Sequence, residues 1–129
     1  MEGYKASITY ASKELSAKEK IMLKDTSNAA SLDDLTANGP GDVVIDYAYH
    51  VIVDIHNERA DGNKDYRKVV IVDKDGNRFV TGSDSFITQL NDIVSEMTEA
   101  GEENNITLSV FRKESKNYKG KTFITCSLI

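Results

Sequence analysis

Residues 43–56, VVIDYAYHVIVDIH, constrain the fold of this chain more than any other stretch. Val43, Ile45, Tyr47, Tyr49, Val51, Val53 and Ile55 recur at every second position. That period puts them on one face of an extended strand, with Asp46, His50, Asp54 and His56 on the other beside Val44, Ala48 and Ile52. A strand this long and polar along one side predicts a strongly curved antiparallel sheet. The polar side residues are expected in solvent. They are spread too far along a strand for one ion to touch all four, so no metal site is expected.

Shorter signals surround this strand. YKASITY, residues 4–10, reads as a short strand. Ser16 followed by Glu19 forms a capping box, and with Ile21, Met22 and Leu23 it predicts a helix over 16–25. The small, polar stretch 26–42, which holds Pro40, reads as a surface connection. YRKVVIVDKDGNRFVTG, residues 66–82, predicts two strands around an Asp75-Gly76 turn of type I′. Residues 83–101 predict a helix capped by Ser83 and closed by Gly101, with a stripe of Phe86, Ile87, Leu90, Ile93, Val94 and Met97. In the closing segment, Ile106, Leu108 and Val110 alternate with Thr107, Ser109 and Phe111. Ile124, Cys126 and Leu128 alternate with Phe123, Thr125 and Ser127. These two runs predict a final hairpin.

This order predicts a single mainly β domain over residues 1–129: a Greek-key barrel of the OB type. It would have five or six antiparallel strands, one helix between strands 3 and 4, and a short extra helix near the N-terminus. Such barrels bind ligands near strands 2 and 3 and through two loops, one of them between the last two strands. A single cysteine, Cys126, excludes an internal disulfide and suggests a reducing compartment. Cys126 falls on the core face, as a small hydrophobe rather than a reactive thiol. The absence of a long apolar run or an apolar leader points to the cytoplasm and away from a membrane.

The charge is unevenly placed. The chain carries −5 overall, yet residues 84–103 contain Asp84, Asp92, Glu96, Glu99, Glu102 and Glu103 with no cation. Residues 111–123, FRKESKNYKGKTF, set Arg112, Lys113, Lys116, Lys119 and Lys121 against Glu114. If the aliphatic residues of the hairpin face the core, Phe111 and Phe123 face out. A hairpin symmetric about Asn117 would place them opposite each other. With Tyr118 they would form a stacking platform beside a phosphate track. Tyr66, Arg67 and Lys68, and Arg78 with Phe79, couple aromatics to cations in the same way and are further candidate contacts. Tyr47 and Tyr49 share an otherwise aliphatic face, which favours the core. No nucleophile arrangement, phosphate loop or paired cysteines are present, so neither an enzyme nor a cofactor is expected.

Gly41 onward with VVIDYAYHVIVDIH, then VVIVDKDGNRF, SFITQLNDIVSEM and NYKGKTFITCSLI, resembles the small single-stranded-DNA-binding proteins of protein-primed Bacillus phages. Lys119, Gly120 and Phe123 match that family's element leading into the last strand. Gly76 and Phe79 match its Asp-Gly turn followed by an aromatic. The resemblance implies an OB-like fold, sequence-independent binding of DNA strands displaced during phage replication, and contact through surface aromatics. No family role passes to Tyr47, Tyr49 or Tyr66, which lack unambiguous counterparts. The expected partner is single-stranded DNA, with replication proteins and homo-oligomerisation left open. The alternative is an acidic phage module that binds a host protein through its helix. An RNA-binding module would differ in reading the 2′-OH.

Overall fold

In the computed structural model, which describes residues 3–37, 43–59, 62, 64–114 and 122–129, the long strand is the organising element. β3 (Val43–Asn57) spans 15 residues. It follows β1 (Tyr4–Ala11), α1 (Ala17–Lys24), β2 (Ala30–Ser31) and α2 (Leu32–Ala37) in the chain. After it come β4 (Asp65–Asp73), β5 (Arg78–Thr81), α3 (Asp84–Glu99), β6 (Thr107–Glu114) and β7 (Thr122–Leu128). One edge of β3 pairs with β4. The other edge pairs with β6 over Val43–Asp46 and then with β1 over Val51–Asn57. The described strands form one sheet in the order β2-β5-β4-β3-β6-β7, with β1 added on β3. The sheet curls into a half-barrel.

β3 does not keep one face throughout. Tyr47 pairs with Asp73 and Tyr49 with the adjacent Val72, so Ala48 is an extra residue on the β3 side. Such a bulge inverts the inward and outward alternation beyond it. Ile45 and Tyr47 therefore share the main core with Ile52, while Tyr49, Val51, Val53 and Ile55 face a second cluster. The same inversion carries His50 inside, where it is 0% exposed, against the expectation of a solvated residue.

The two clusters lie on opposite faces of the sheet. In the main core the α3 stripe of Phe86, Ile87, Leu90, Ile93 and Val94 meets Leu108, Val110, Ile124 and Cys126. Ser83 caps α3 by accepting from the Phe86 amide at 3.3 Å. The second cluster joins Val51, Val53, Ile55, Val70, Val72 and Val80 to Leu23 of α1. The predicted capping box of α1 is complete: Ser16 Oγ accepts from the Glu19 amide and Glu19 accepts from the Ser16 amide.

Three expectations are corrected. The stretch 26–42 is not merely a surface connection. Within it β2 pairs in parallel with β5, and α2 places Leu32 in the main core at 0% exposure. A two-residue strand and one leucine are too short to register as periodicity. The turn at Asp75-Gly76 closes a hairpin, but Gly76 has φ 87° while Lys74 and Asp75 are not left-handed. Type I′ needs both central residues left-handed. Instead the Asp73 carboxylate accepts from the amides of Asp75 at 3.0 Å and Asn77 at 2.8 Å. Leu128, expected inside, is 43% exposed at the end of the edge strand β7.

Candidate nucleic-acid interface

The β6–β7 ladder fixes which hairpin side chains share a face. Phe111 pairs with Thr125, Arg112 with Ile124, and Lys113 with Phe123. Paired residues share a face and neighbours alternate. Val110, Arg112, Ile124 and Cys126 therefore face the α3 side, and Phe111, Lys113, Phe123, Thr125 and Ser127 face away from it. β3 extends this outer face, because Val44 pairs with Ser109 and Asp46 with Thr107. Val44 is 59% exposed there.

Phe111 and Phe123 thus lie on one outer face, both half-buried, but they are not directly opposite. The register sets Phe111 against Thr125, two residues beyond Phe123, which makes the two phenylalanines diagonal neighbours. Diagonal positions in such a ladder remain within reach of aromatic side chains. Lys113 sits exposed directly across from Phe123. Lys116, Tyr118, Lys119 and Lys121 lie outside the described residues.

Arg112 is engaged internally. Its Nε donates to Thr36 Oγ1 at 3.1 Å, its Nη2 to Asp33 O at 3.0 Å, and its Nη1 to Thr122 Oγ1 at 3.3 Å. This guanidinium clamps α2 onto the hairpin instead of facing solvent beside the phenylalanines.

The other candidates are elsewhere. Tyr66, Arg67 and Lys68 pair with Ile55, Asp54 and Val53, near the far end of β3 from the hairpin. About ten residues of strand separate the two groups, roughly 30 Å of contour. Tyr66 packs on the second cluster, with the Lys68 ammonium 6.0 Å from its ring centroid. Arg67 turns to the opposite face and pairs with Asp84 at 3.3 Å. Arg78 donates from Nη1 to Met22 O at 3.1 Å and holds α1 to β5. Phe79 packs half-buried against the main core.

Tyr47 belongs to the core at 2% exposure. Its hydroxyl lies 2.9 Å from Ser12 Oγ and 2.6 Å from His50 Nδ1, and His50 Nε2 lies 3.1 Å from Asn91 Oδ1. Burial holds His50 down at about 4 and pushes Tyr47 up to about 12. Tyr49 is half-buried, with the Lys13 ammonium 4.2 Å from its ring centroid and its hydroxyl donating to Glu19 at 3.3 Å. Burial likewise pushes the Cys126 thiol up to about 12.

One surface aromatic escaped the sequence reading. Tyr10 is 47% exposed, with its ring centroid 5.4 Å from that of His50. It borders a groove of about 360 Å³ with Thr9, Arg67, Asn91 and Ser95. A larger groove of about 640 Å³ runs over Lys5, Ser7, Asp54, His56 and Arg67. A short strand with a tyrosine near each end carries no pattern that would have marked either groove. Among the described residues no group of three His, Cys, Asp or Glu side chains is placed to hold a metal ion. Nor, among the described residues, is any helix long and apolar enough to cross a membrane.

Charge separates across the hairpin. α3 packs its apolar stripe on the inner side of β6 and β7, leaving Asp92, Glu96 and Glu99 exposed beyond it. The two phenylalanines face the other way. A platform of aromatics shielded by the sheet from an acidic helix suits a polyanion with exposed bases. The model of the phage single-stranded DNA-binding protein family, of Phi29 type, matches residues 2–129. The chain belongs to that family. No curated protein and no solved structure matches it. Of the surfaces this phage single-stranded DNA-binding protein presents, the outer face of β3, β6 and β7 combines aromatics, hydroxyls and an exposed lysine.

Proposed function

We propose that the protein coats single-stranded DNA without sequence preference and protects it during phage replication in the host cytoplasm, with no enzymatic step. The observation that carries this reading is the shared outer face of Phe111 and Phe123, turned away from acidic α3. Bases stack on Phe111 and Phe123, and Lys113 neutralises a phosphate beside them. Lys116, Tyr118, Lys119 and Lys121, in the segment joining β6 to β7, extend this track. Arg112 supports the track by holding its inner side to α2. Tyr66, Arg67 and Lys68 offer a separate contact at the far end of β3, whereas Arg78 and Phe79 act in packing.

Stacking favours this reading over duplex binding, because every unpaired base offers a π face and duplex bases do not. The strand order from β3 onward supports an OB-like description: β3, β4 and β5 precede α3, and β6 and β7 follow it. Family membership weighs against the alternative of a host-protein inhibitor acting through α3.

Competition gel shifts at two salt concentrations test the reading. Single-stranded oligonucleotides of unrelated sequence should bind alike and displace one another, while duplex of equal length competes poorly. Equal or tighter binding to duplex would overturn it. Tighter binding to RNA of the same sequence would move the assignment to an RNA module.

A further inference from the structure

The free edges of the sheet are treated differently. β2 has two residues and runs into α2, which leaves little edge. On β7, Ser83 Oγ donates to Ile124 O at 3.4 Å, and α3 packs alongside. β1 is 8 residues long, contains no proline, and pairs among the described residues with β3 alone. Exposed edges of this kind template pairing with another chain unless they are blunted.

The direction of the β1 backbone follows from its pairing. The Glu58 amide donates to Gly3 O at 2.6 Å, so Gly3 points toward β3. Antiparallel pairs alternate between bonded and non-bonded. Lys5 and Ser7 therefore also point toward β3, while Tyr4, Ala6 and Ile8 turn their N–H and C=O groups outward. Thr9 is an extra residue where the register shifts between Ile8 and Tyr10, which limits a regular outer edge to Tyr4–Ile8. That run is self-complementary about Ala6. A second copy laid antiparallel sets Tyr4 against Ile8, Lys5 against Ser7, and Ala6 against Ala6. The smallest side chain of the run, Ala6, falls on the two-fold axis.

α1 supplies a second observation at the same place. Ile21 is 72% exposed, the most exposed large apolar side chain among the described residues. It lines a groove of about 500 Å³ together with Ala6, Lys24 and Asp25. A two-fold axis through Ala6 brings the Ile21 of each copy to the same side of the joined sheet.

We infer that the β1 edge is a homodimer interface, in which two copies join antiparallel about Ala6 into one continuous sheet covered by Ile21. A substitution at Ala6 tests this geometry directly. Side chains directly opposed in a bonded antiparallel pair lie side by side, with Cβ atoms about 5.5 Å apart, within reach of a short bismaleimide cross-linker. Ala6→Cys should therefore be captured as a symmetric dimer by such a reagent, far faster than Ser85→Cys on the exposed side of α3. Sedimentation of the unmodified full chain should move from one-chain to two-chain mass as concentration rises. Ile21→Lys should require at least tenfold more protein for the same shift while keeping its circular dichroism. A one-chain mass at every concentration overturns the inference. A dimer that Ala6→Cys fails to capture, or that Ile21→Lys leaves unweakened, overturns it as well. None of these measurements contains DNA, so the result stands apart from the DNA-binding reading.

Discussion

Phe111 and Phe123 sit diagonally across the β6–β7 ladder, on the face opposite the one that packs on α3. Their partners, Thr125 and Lys113, occupy the remaining corners of the same patch. This arrangement separates the stacking contribution from the charge contribution and lets each be removed by itself.

Phe111→Ser or Phe123→Ser should weaken binding to single-stranded DNA by about 1–3 kcal/mol and leave the salt dependence nearly unchanged. Lys113→Gln, and the triple Lys116, Lys119 and Lys121→Gln variant, should instead flatten it. Each lost phosphate contact removes roughly 0.7 from the slope of log affinity against log salt. Fluorescence titrations at several salt concentrations, with circular dichroism as a folding check, measure both. Full affinity and full slope in the lysine variants would show the hairpin to be a solvated tip.

Arg112→Gln should behave unlike the lysine variants. The guanidinium bonds Thr36, Asp33 and Thr122 within the chain. Losing charge-assisted bonds to partly buried acceptors should cost about 1–3 kcal/mol of stability in urea unfolding. The salt slope of DNA binding should stay as in the unmodified chain. A reduced slope with unchanged stability would return Arg112 to the phosphate track.

Leu32→Ala tests whether α2 belongs to the core. Leu32 is fully buried in the main cluster, so truncation should cost about 2–5 kcal/mol in unfolding free energy. A loss below about 0.5 kcal/mol, the range of ordinary surface changes, would mean that the segment is a loop after all.

The two histidines predict opposite arms of a pH profile. His50 is held down at about 4 by burial, against 6.5 when unfolded. Between those values the unfolded chain binds the proton and the folded chain does not, so stability falls as pH drops from 6.5 to about 4. The effect is on the order of 3 kcal/mol. His56 is raised by bonds to Asp65 and Glu58. Its contribution is complete below 6.5 and is lost as pH rises through the folded value. Urea unfolding across this range should show a maximum near 6.5. His50→Gln should flatten the acidic arm and His56→Gln the alkaline arm. An acidic arm unchanged in His50→Gln would assign the loss to carboxylates instead.

Much of the fold was legible because it is written in local repeats. The α3 stripe repeats at helical spacing between a capping serine and a closing glycine, and α1 begins at a complete capping box. The apolar alternation in 106–111 and 123–128 told which hairpin residues would face out, so the shared face of Phe111 and Phe123 was readable in advance. The tertiary structure decided what one residue of slippage changes. Ala48 bulges because β4 pairs one residue short of it, and that inverted the faces of β3 and buried His50. The hairpin register, in which Phe111 meets Thr125 two residues beyond Phe123, turned an opposed pair of phenylalanines into a diagonal one. Arg112 reads as one cation among five in sequence, yet acceptors on α2, nearly eighty residues earlier, draw it inward. Side-chain period is a property of neighbours along the chain and survives in the sequence. Register, bulges and the partners of long side chains are set by strands and helices distant in sequence, and become definite when the sheet is assembled.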